Sequence, residues 1–312
     1  MKAANNRSLD LSVEEGEAYL ARCLRPEGPL TLSQILDKTL LGDSLELLPL
    51  LPRGFADLLI ADPPYNLNKD YNGSRFRRMD EEDYAAYTEA WLTAALPCLK
   101  ESASVYVCCD WRSSLVIGPL LAKHLKVLNR ITWQREKGRG ASRNWKNSLE
   151  DIWFATLSGD YVFHPEAVMQ RRRVLAPYRE NGRPKDWEET AEGRFRDSCP
   201  SNFWDDLSVP FWSMPENTPH PAQKPEKLMA KLILASSDAG GVVLDPFLGS
   251  GSSAVAAKKL GRHYVGIERE AQYCVWAEKR LEKAEKDPRI QGYADGVFWE
   301  RNTAALLKKH RG

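Results

Sequence analysis

The most constraining feature of this sequence is a short apolar strand that runs into a glycine turn and then into a helix. Residues 240–254 read GGVVLDPFLGSGSSA, and the next predicted strand ends in Glu268. Strand, glycine turn, helix, strand and acid in this order are typical of a nucleotide-type ligand at the carboxyl edge of a parallel sheet. No Lys-Ser or Lys-Thr pair follows the glycines, so a nucleoside triphosphate is a poor fit.

Two ligands stay open at this turn. Gly249, Gly251 and Ala254 satisfy the degenerate dinucleotide fingerprint. S-adenosylmethionine shares the ribose contacts but carries no phosphate. Glu268 would accept hydrogen bonds from its ribose hydroxyls, Asp245 would meet its ammonium group, and its carboxylate would need a cation.

The rest of the chain alternates predicted strands and helices. Apolar patterns predict strands at 56–61, 104–109, 127–134, 151–157, 242–245 and 264–268, and helices at 81–96, 113–124, 225–236, 252–260 and 272–286. This alternation predicts an α/β fold with a doubly wound, mostly parallel sheet and helices on both faces. Residues 165–219 have no clear period, which predicts an irregular insertion.

Composition narrows the class further. The chain is 43% hydrophobic and 28% charged, as expected of a globular protein, and it has no apolar run of transmembrane length. Its first residues lack the apolar core of a secretory signal. The six cysteines are scattered without a metal-binding or disulfide spacing. The sequence therefore predicts a cytoplasmic protein without a membrane partner.

A second motif, Asp62-Pro63-Pro64-Tyr65, follows the strand at 56–61 directly. Prolines lack donors and fix the backbone, so this loop should be rigid and present its carbonyls. An amino group on an aromatic base is a poor nucleophile, because its lone pair is delocalised into the ring. Acceptors such as Asp62 and the Pro63 carbonyl would free that lone pair, and Tyr65 would stack on a base taken out of its helix. The plainer alternative, a strand ended by prolines, leaves Asp62 unexplained.

The two motifs in this order resemble the circularly permuted, beta-class DNA amino-methyltransferases. Residues 41–44 (LGDS) and 220–225 (HPAQKP) are similar to further family segments. Arg143, Asn147 and Glu150 ahead of a strand are similar to the family's pattern of arginine, asparagine and glutamate. Ala222 replaces the usual threonine and Ser148 stands where histidine is common, which affects local hydrogen bonds rather than the reaction.

The resemblance implies a Rossmann-like methyltransferase domain that uses S-adenosylmethionine and no metal. The implied catalytic residues are Asp62, Pro63, Pro64 and Tyr65. The implied cofactor-binding residues are Asp43, Asp62, His220, Lys224, Asp245, Phe247, Gly249, Ser250, Gly251, Ser252 and Glu268. Among these, Asp43 would contact the cofactor adenine and Lys224 would reach its carboxylate.

It also implies a division of the chain. An N-terminal extension (1–38) is followed by the catalytic half (39–164), a target-recognition region (165–219), the cofactor-binding half (220–287) and a C-terminal tail (288–312). A doubly wound sheet with an inserted target-recognition region is thus the expected architecture.

Two basic stretches suit a polyanion. Residues 130–149 and 169–185 each carry six basic residues against one acidic residue. The predicted DNA-binding residues are Arg135, Lys137, Arg139, Arg143, Asn147, Arg171, Arg172 and Arg173. Solvated loops remain the alternative for these stretches.

The expected function is site-specific methylation of adenine N6 in double-stranded DNA, in a restriction-modification system. Asp-Pro-Pro-Tyr favours adenine, with cytosine N4 as the runner-up. An NAD-linked oxidoreductase and an inactive DNA-binding module are the alternatives from other classes. A separately acting restriction endonuclease and a second copy of the chain are the expected protein partners.

Overall fold

A computed structural model describes residues 6–71, 74–135, 143–174, 178–190 and 193–300. The strands are β1 (Lys38–Leu41), β2 (Ala56–Ala61), β3 (Lys69–Tyr71), β4 (Ser74–Phe76), β5 (Leu99–Cys109), β6 (Lys126–Gln134), β7 (Leu149–Thr156), β8 (Gln170–Arg173), β9 (Arg179–Glu180), β10 (Arg183–Pro184), β11 (Glu188–Thr190), β12 (Gly193–Ser198), β13 (Phe203–Trp204), β14 (Val242–Asp245), β15 (His263–Glu268), β16 (Tyr293–Ala294) and β17 (Val297–Trp299). The helices are α1 (Glu17–Leu20), α2 (Leu32–Ile35), α3 (Ser44–Leu47), α4 (Glu81–Ala95), α5 (Trp111–His124), α6 (Glu226–Ser236), α7 (Ser252–Lys259) and α8 (Ala271–Lys286).

The central sheet has eight strands in the order β1-β15-β14-β2-β5-β7-β6-β13. The first five run parallel, β7 runs antiparallel to both its neighbours, and β13 is parallel to β6. The prediction of a doubly wound, mostly parallel sheet is therefore confirmed. Among the described residues, no helix has both the length and the apolar character needed to cross a membrane.

Both faces of the sheet are covered, because its central strands are apolar on both sides. In β2, Leu59 and Ala61 pack in a core with α3, α4 and α5. Leu58 and Ile60 point the other way, into a core with α6, α7 and α8. Side chains alternate along a strand, so a continuous apolar run predicts burial on two sides, as observed.

The carboxyl ends of β1, β2, β14 and β15 lie at one edge of the sheet, because these strands are parallel. Each is followed by, or ends in, an acidic residue of the predicted site. Those residues are Asp43, Asp62, Asp245 and Glu268. Residues far apart in the chain are thus brought to one edge.

The region at 165–219 contains short strands that its composition did not predict. In the described residues β8, β11 and β12 form an antiparallel arrangement, and β17 pairs with β8. The segment after α8 therefore joins the same five-stranded sheet. Strands of two to six residues leave too little periodicity to be seen in a sequence window.

The N-terminal extension packs against α8. Leu9 lies in a small core with Tyr273, Val275 and Trp276, and the Trp276 indole donates to the Leu11 carbonyl at 2.9 Å. Two short helices, α1 and α2, also lie within this extension.

A buried ion cluster ties the region at 165–219 to α6. Asp206 accepts from Lys231 at 2.7 and 2.9 Å, and Lys227 lies 2.6 Å from the same carboxylate. Lys227 also donates to the Trp299 carbonyl at 2.6 Å. Burial lowers the pKa of Lys231 to about 8. One carboxylate thus compensates two buried ammonium groups.

Removing that carboxylate should be costly. Asp206→Ala should destabilise the protein by about 3–5 kcal/mol, because it leaves buried cations without a partner. Asp186→Ala, which removes an exposed partner of Arg196, should change stability by no more than about 1 kcal/mol. Urea unfolding of both variants checks this, and equal changes would contradict a special role for Asp206.

Candidate active site

A cavity of about 800 Å³ lies at the carboxyl edge of the sheet. Its wall contains the following predicted residues: Asp43, Asp62, Pro63, Pro64, Tyr65, Arg135, Asn147, His220, Lys224, Asp245, Phe247, Gly249, Ser250, Ser252 and Glu268. The two motifs are distant in sequence, and they share this cavity because β2 and β14 are hydrogen-bonded neighbours.

The Asp-Pro-Pro-Tyr loop is held from behind by two neighbouring elements. The Tyr84 hydroxyl of α4 donates to the Pro64 carbonyl at 3.2 Å. Just after the loop, the Asn66 N–H donates to the Ser113 hydroxyl of α5 at 3.2 Å, and the Asn66 side chain exchanges two hydrogen bonds with the Met79 backbone. These contacts fix the position of Asp62 at the cavity wall.

A buried ammonium group organises the reactive end of the cavity. Lys224 Nζ donates to Asp62 Oδ2 at 2.6 Å and to the Tyr65 hydroxyl at 3.0 Å, and lies 3.4 Å from Glu150 Oε2. Burial alone would lower the pKa of Lys224, but the Asp62 and Glu150 carboxylates outweigh it and raise that pKa above its ordinary value. Lys224 therefore stays charged beside the Asp-Pro-Pro-Tyr loop.

Glu150 is a site residue that was not among the predicted catalytic and cofactor-binding residues. Its carboxylate contacts the Arg135 guanidinium, and the Tyr65 hydroxyl lies 3.1 Å from it. Burial raises the pKa of Glu150, but Lys224 and Arg135 more than offset this and lower it below the ordinary value. Its place in the family's arginine, asparagine and glutamate pattern was the available signal.

Tyr65 is held by its hydroxyl as well as by its ring. The hydroxyl lies 3.0 Å from Asp62 Oδ1, close enough to donate a hydrogen bond, and Lys224 Nζ lies 5.2 Å from the ring centroid. Burial raises the pKa of Tyr65 well above its ordinary value. The hydroxyl thus stays protonated and orients the carboxylate, a contact that the sequence did not predict.

Asp245 and Glu268 are buried carboxylates that have only neutral hydrogen-bond donors. Asp245 accepts from the Phe247 N–H at 2.9 Å and from the Ser253 hydroxyl. Glu268 accepts from the N–H groups of Gly249 and Glu270, both at 2.8 Å. Burial raises the pKa of each to about 7. Among the described residues neither has a lysine or arginine within ion-pair distance.

The two glycines of the turn have different roles. Gly249 has φ +54°, and a Cβ there would lie 3.1 Å from His220 Nε2 at the cavity wall. Gly251 has φ +84°, and its Cβ would come within 2.8 Å of the Ala277 Cβ on α8. Gly251 is therefore needed for close packing of the turn against α8, and its contact with a ligand stays a prediction.

Other predicted cofactor residues line the cavity and also make contacts that hold the surrounding fold together. Asp43 caps α3 by accepting from the Leu45 N–H at 2.8 Å, and the Phe247 ring packs edge-on against Trp91. Ser250 and Ser252 contact the buried Arg280 guanidinium, which fixes the glycine turn to α8. Burial lowers the pKa of His220 to about 3, so its ring is neutral.

The predicted DNA-binding residues fall into several settings. Arg135 and Asn147 line the cavity, whereas Arg143 is exposed. Lys137 and Arg139 lie outside the described residues.

The three arginines of β8 form part of a strand. Arg171 donates two hydrogen bonds, at 2.7 and 2.6 Å, to Asp197 on the neighbouring strand β12. Arg172 donates to Gln170 at 3.0 Å, and Arg173 is exposed. Arg171 is therefore already used in cross-strand pairing, rather than lying in a solvated loop.

The fold and this cavity define an α/β methyltransferase. A family model described as DNA methylase matches residues 56–279. The type II methyltransferase M.HpaI of Haemophilus parainfluenzae is 31% identical over 246 residues, which cover 77% of this chain and 73% of that protein. The DNA adenine methyltransferase YhdJ of Escherichia coli is 30% identical over 250 residues, with 78% and 82% covered.

The fold is similar to that of TTHA0409 from Thermus thermophilus, solved with S-adenosyl-L-methionine. That comparison has a TM-score of 0.54 and 19% identity, and it covers 85% of this chain and 98% of the other. The chain belongs to the N6/N4 DNA methylase family. This membership confirms the resemblance seen in the motifs and excludes the NAD-linked oxidoreductase.

The raised pKa of Asp245 predicts a pH-dependent stability. A carboxyl whose folded pKa lies above its unfolded value loses its stabilising contribution as pH rises through the folded value, here about 7. Asp245→Asn cannot ionise, so it should make the protein more stable at pH 8 and produce a smaller gain at pH 5. Urea unfolding at both pH values checks this. Asp43→Asn is the half-exposed control, and a gain at Asp245 that is independent of pH would contradict the prediction.

Proposed function

We propose that this protein transfers a methyl group from S-adenosylmethionine to the N6 atom of an adenine in double-stranded DNA. One observation carries the proposal: the Asp62 carboxylate and the buried carboxylates of Asp245 and Glu268 line the same cavity. A methyl donor held by Asp245 and Glu268 would therefore face a base held at Asp62. Family membership supports methyl transfer to an amino group of DNA.

The donor set at the glycine turn fits S-adenosylmethionine. Asp245, buried and without a cationic partner among the described residues, suits an ammonium group, and the remaining lone pairs of Glu268 suit ribose hydroxyls. Asp43 lies at the same cavity edge, as an adenine contact requires. S-adenosylmethionine supplies a methyl group on a positive sulfonium, which leaves as a neutral thioether.

Lys224 suits a different task from the one that the resemblance implies. Its ammonium group is directed at Asp62 and Glu150, so it keeps the reactive carboxylate in place. A contact with the carboxylate of the cofactor remains a prediction for this residue.

Asp62 acts on the amino group of the base. By accepting an N–H hydrogen bond it draws the nitrogen towards tetrahedral geometry, and its negative charge stabilises the positive charge that develops on nitrogen. Positioning contributes the rest, because the loop is fixed by Tyr84 and Asn66 before any base arrives. The Tyr65 ring supplies a stacking surface at the same point.

Adenine rather than cytosine is the preferred base. M.HinfI of Haemophilus influenzae, a type II methyltransferase, is a further relative at 29% identity, and YhdJ is named an adenine methyltransferase. Asp-Pro-Pro-Tyr favours the same base. Membership of a restriction-modification system, a separately acting endonuclease and a homodimer stay predictions.

DNA contacts are assigned to two surfaces. Exposed Arg143 and Lys146, which precede the cavity-lining Asn147 in the chain, would contact phosphates. The region at 165–219 would read the target sequence, with Arg173 available on the surface and Arg171 committed to Asp197. Lys137 and Arg139 would extend the phosphate contacts.

The function is tested by mapping modified bases in DNA from cells that express the protein. The expected result is N6-methyladenine at one short sequence. Asp62→Ala should abolish the mark, because Asp62 acts on the transition state, and the exposed control Asp160→Ala should leave it unchanged. N4-methylcytosine would replace the adenine assignment, and unmodified DNA in the wild-type sample would overturn the proposal.

Cofactor binding is tested by calorimetry on the isolated protein. S-adenosylmethionine should bind and NAD should not. Glu268→Ala should weaken binding by about 1.5–3 kcal/mol, the range for hydrogen bonds to a charged group. Glu46→Ala, an exposed glutamate of α3, is the control. Unchanged affinity in Glu268→Ala would remove this residue from the ribose contact.

A further inference from the structure

Trp145 is a large apolar side chain that the fold leaves in solvent. It is 93% exposed, compared with 51% for Trp212 and 47% for Trp111. A buried tryptophan removes some of the largest apolar areas of any side chain from water, so this exposure forgoes a large stabilisation. Within the described residues its only hydrogen bond is backbone, from its N–H to Asn144 Oδ1 at 2.7 Å.

The position of Trp145 connects it with the cavity. Asn147, Ser148 and Leu149, two to four residues further along, all line the cavity wall. Glu150 follows and contacts the catalytic network. The exposed tryptophan thus stands on the short segment that leads into the reactive end of the site.

The charge beside Trp145 suits a DNA backbone. Arg143 and Lys146 flank it, both are exposed, and neither has an ion-pair partner among the described residues. Trp111 differs, because the Arg112 guanidinium lies 5.1 Å from the centre of its ring. Trp145 combines an open aromatic ring with neighbouring cations two residues before Asn147, the first of the cavity-lining residues on this segment.

We propose that Trp145 enters the duplex beside the target base and stacks in the gap that this base leaves behind. The inference rests on the proposed function, because only a base taken out of its helix can reach Asp62. Taking the target base out of the helix removes the stacking between it and the two neighbouring base pairs. An aromatic ring that fills the gap stacks on the base faces that are left open, and Arg143 and Lys146 contact the adjacent phosphates.

The test measures affinity for two duplexes that carry the mapped methylation site. One duplex is intact, and the other has an abasic position in place of the target adenine, so that the gap already exists. The wild type should bind the abasic duplex about tenfold more tightly, which is within the usual effect of one base–aromatic stack. Trp145→Ala should lose this preference, and Trp145→Phe should keep most of it.

Trp111→Ala is the matched control, since it removes a second exposed tryptophan that lies outside the region at 165–219 and is not part of the cavity wall. It should behave as the wild type does. A Trp145→Ala protein that keeps the preference, or a wild type that shows none, would overturn the wedge. These binding measurements need no methyl transfer. Failure of the proposed function would be seen separately, as the absence of N6-methyladenine in DNA from cells that express the wild-type protein.

Discussion

The parallel alignment of β2, β14 and β15 is the constraint on which the site depends. Parallel neighbours bring their carboxyl ends to one edge, so Asp62, Asp245 and Glu268 meet there although they are far apart in the chain. Helices on both faces bury the strands and leave this edge as the accessible end. The order of the two motifs along the chain is therefore irrelevant to the chemistry, because the sheet decides which residues are neighbours.

Burial of charge divides the cavity into two ends with different electrostatics. At the reactive end, two cations, Lys224 and Arg135, balance two carboxylates, Asp62 and Glu150. At the other end, burial raises the pKa values of Asp245 and Glu268, and among the described residues no lysine or arginine pairs with either carboxylate. A positively charged ligand group relieves that cost, whereas the carboxylates of the reactive end already have cationic partners. The fold thus gives up stability at the end where we propose that the ammonium group of the cofactor binds.

Much of the fold could be predicted because its helices and strands are long and apolar. The strand at 56–61 was predicted to the residue, and the helix predicted at 81–96 is observed at Glu81–Ala95. The short strands of 165–219 and the strands after α8 could not be predicted from the sequence, since their pairing is non-local and their side chains are polar. Gly251 shows a similar limit, because its neighbour Ala277 becomes visible only in three dimensions.

The motifs of the site could be predicted from the sequence, but the side-chain pairs within it could not. Asp62, Asp245 and Glu268 carry the right chemistry at the ends of recognisable strands. The pairing of Lys224 with Asp62 joins residues 162 positions apart, and no sequence window contains both. Arg135 belongs in sequence to a basic stretch suited to DNA, yet it contacts Glu150. It directly follows β6, and Glu150 lies on the antiparallel neighbour β7, opposite Trp133.

The region at 165–219, which we propose reads the target sequence, is fixed to the catalytic sheet at one end. Its outward strands carry arginines in exposed or cross-strand positions, where a change alters little of the core. Its inner end is fixed by β13, which pairs with β6, and by Asp206 between Lys227 and Lys231. Buried ion pairs add little net stability, but a broken pair is costly. Such a pair therefore specifies where the region sits relative to α6.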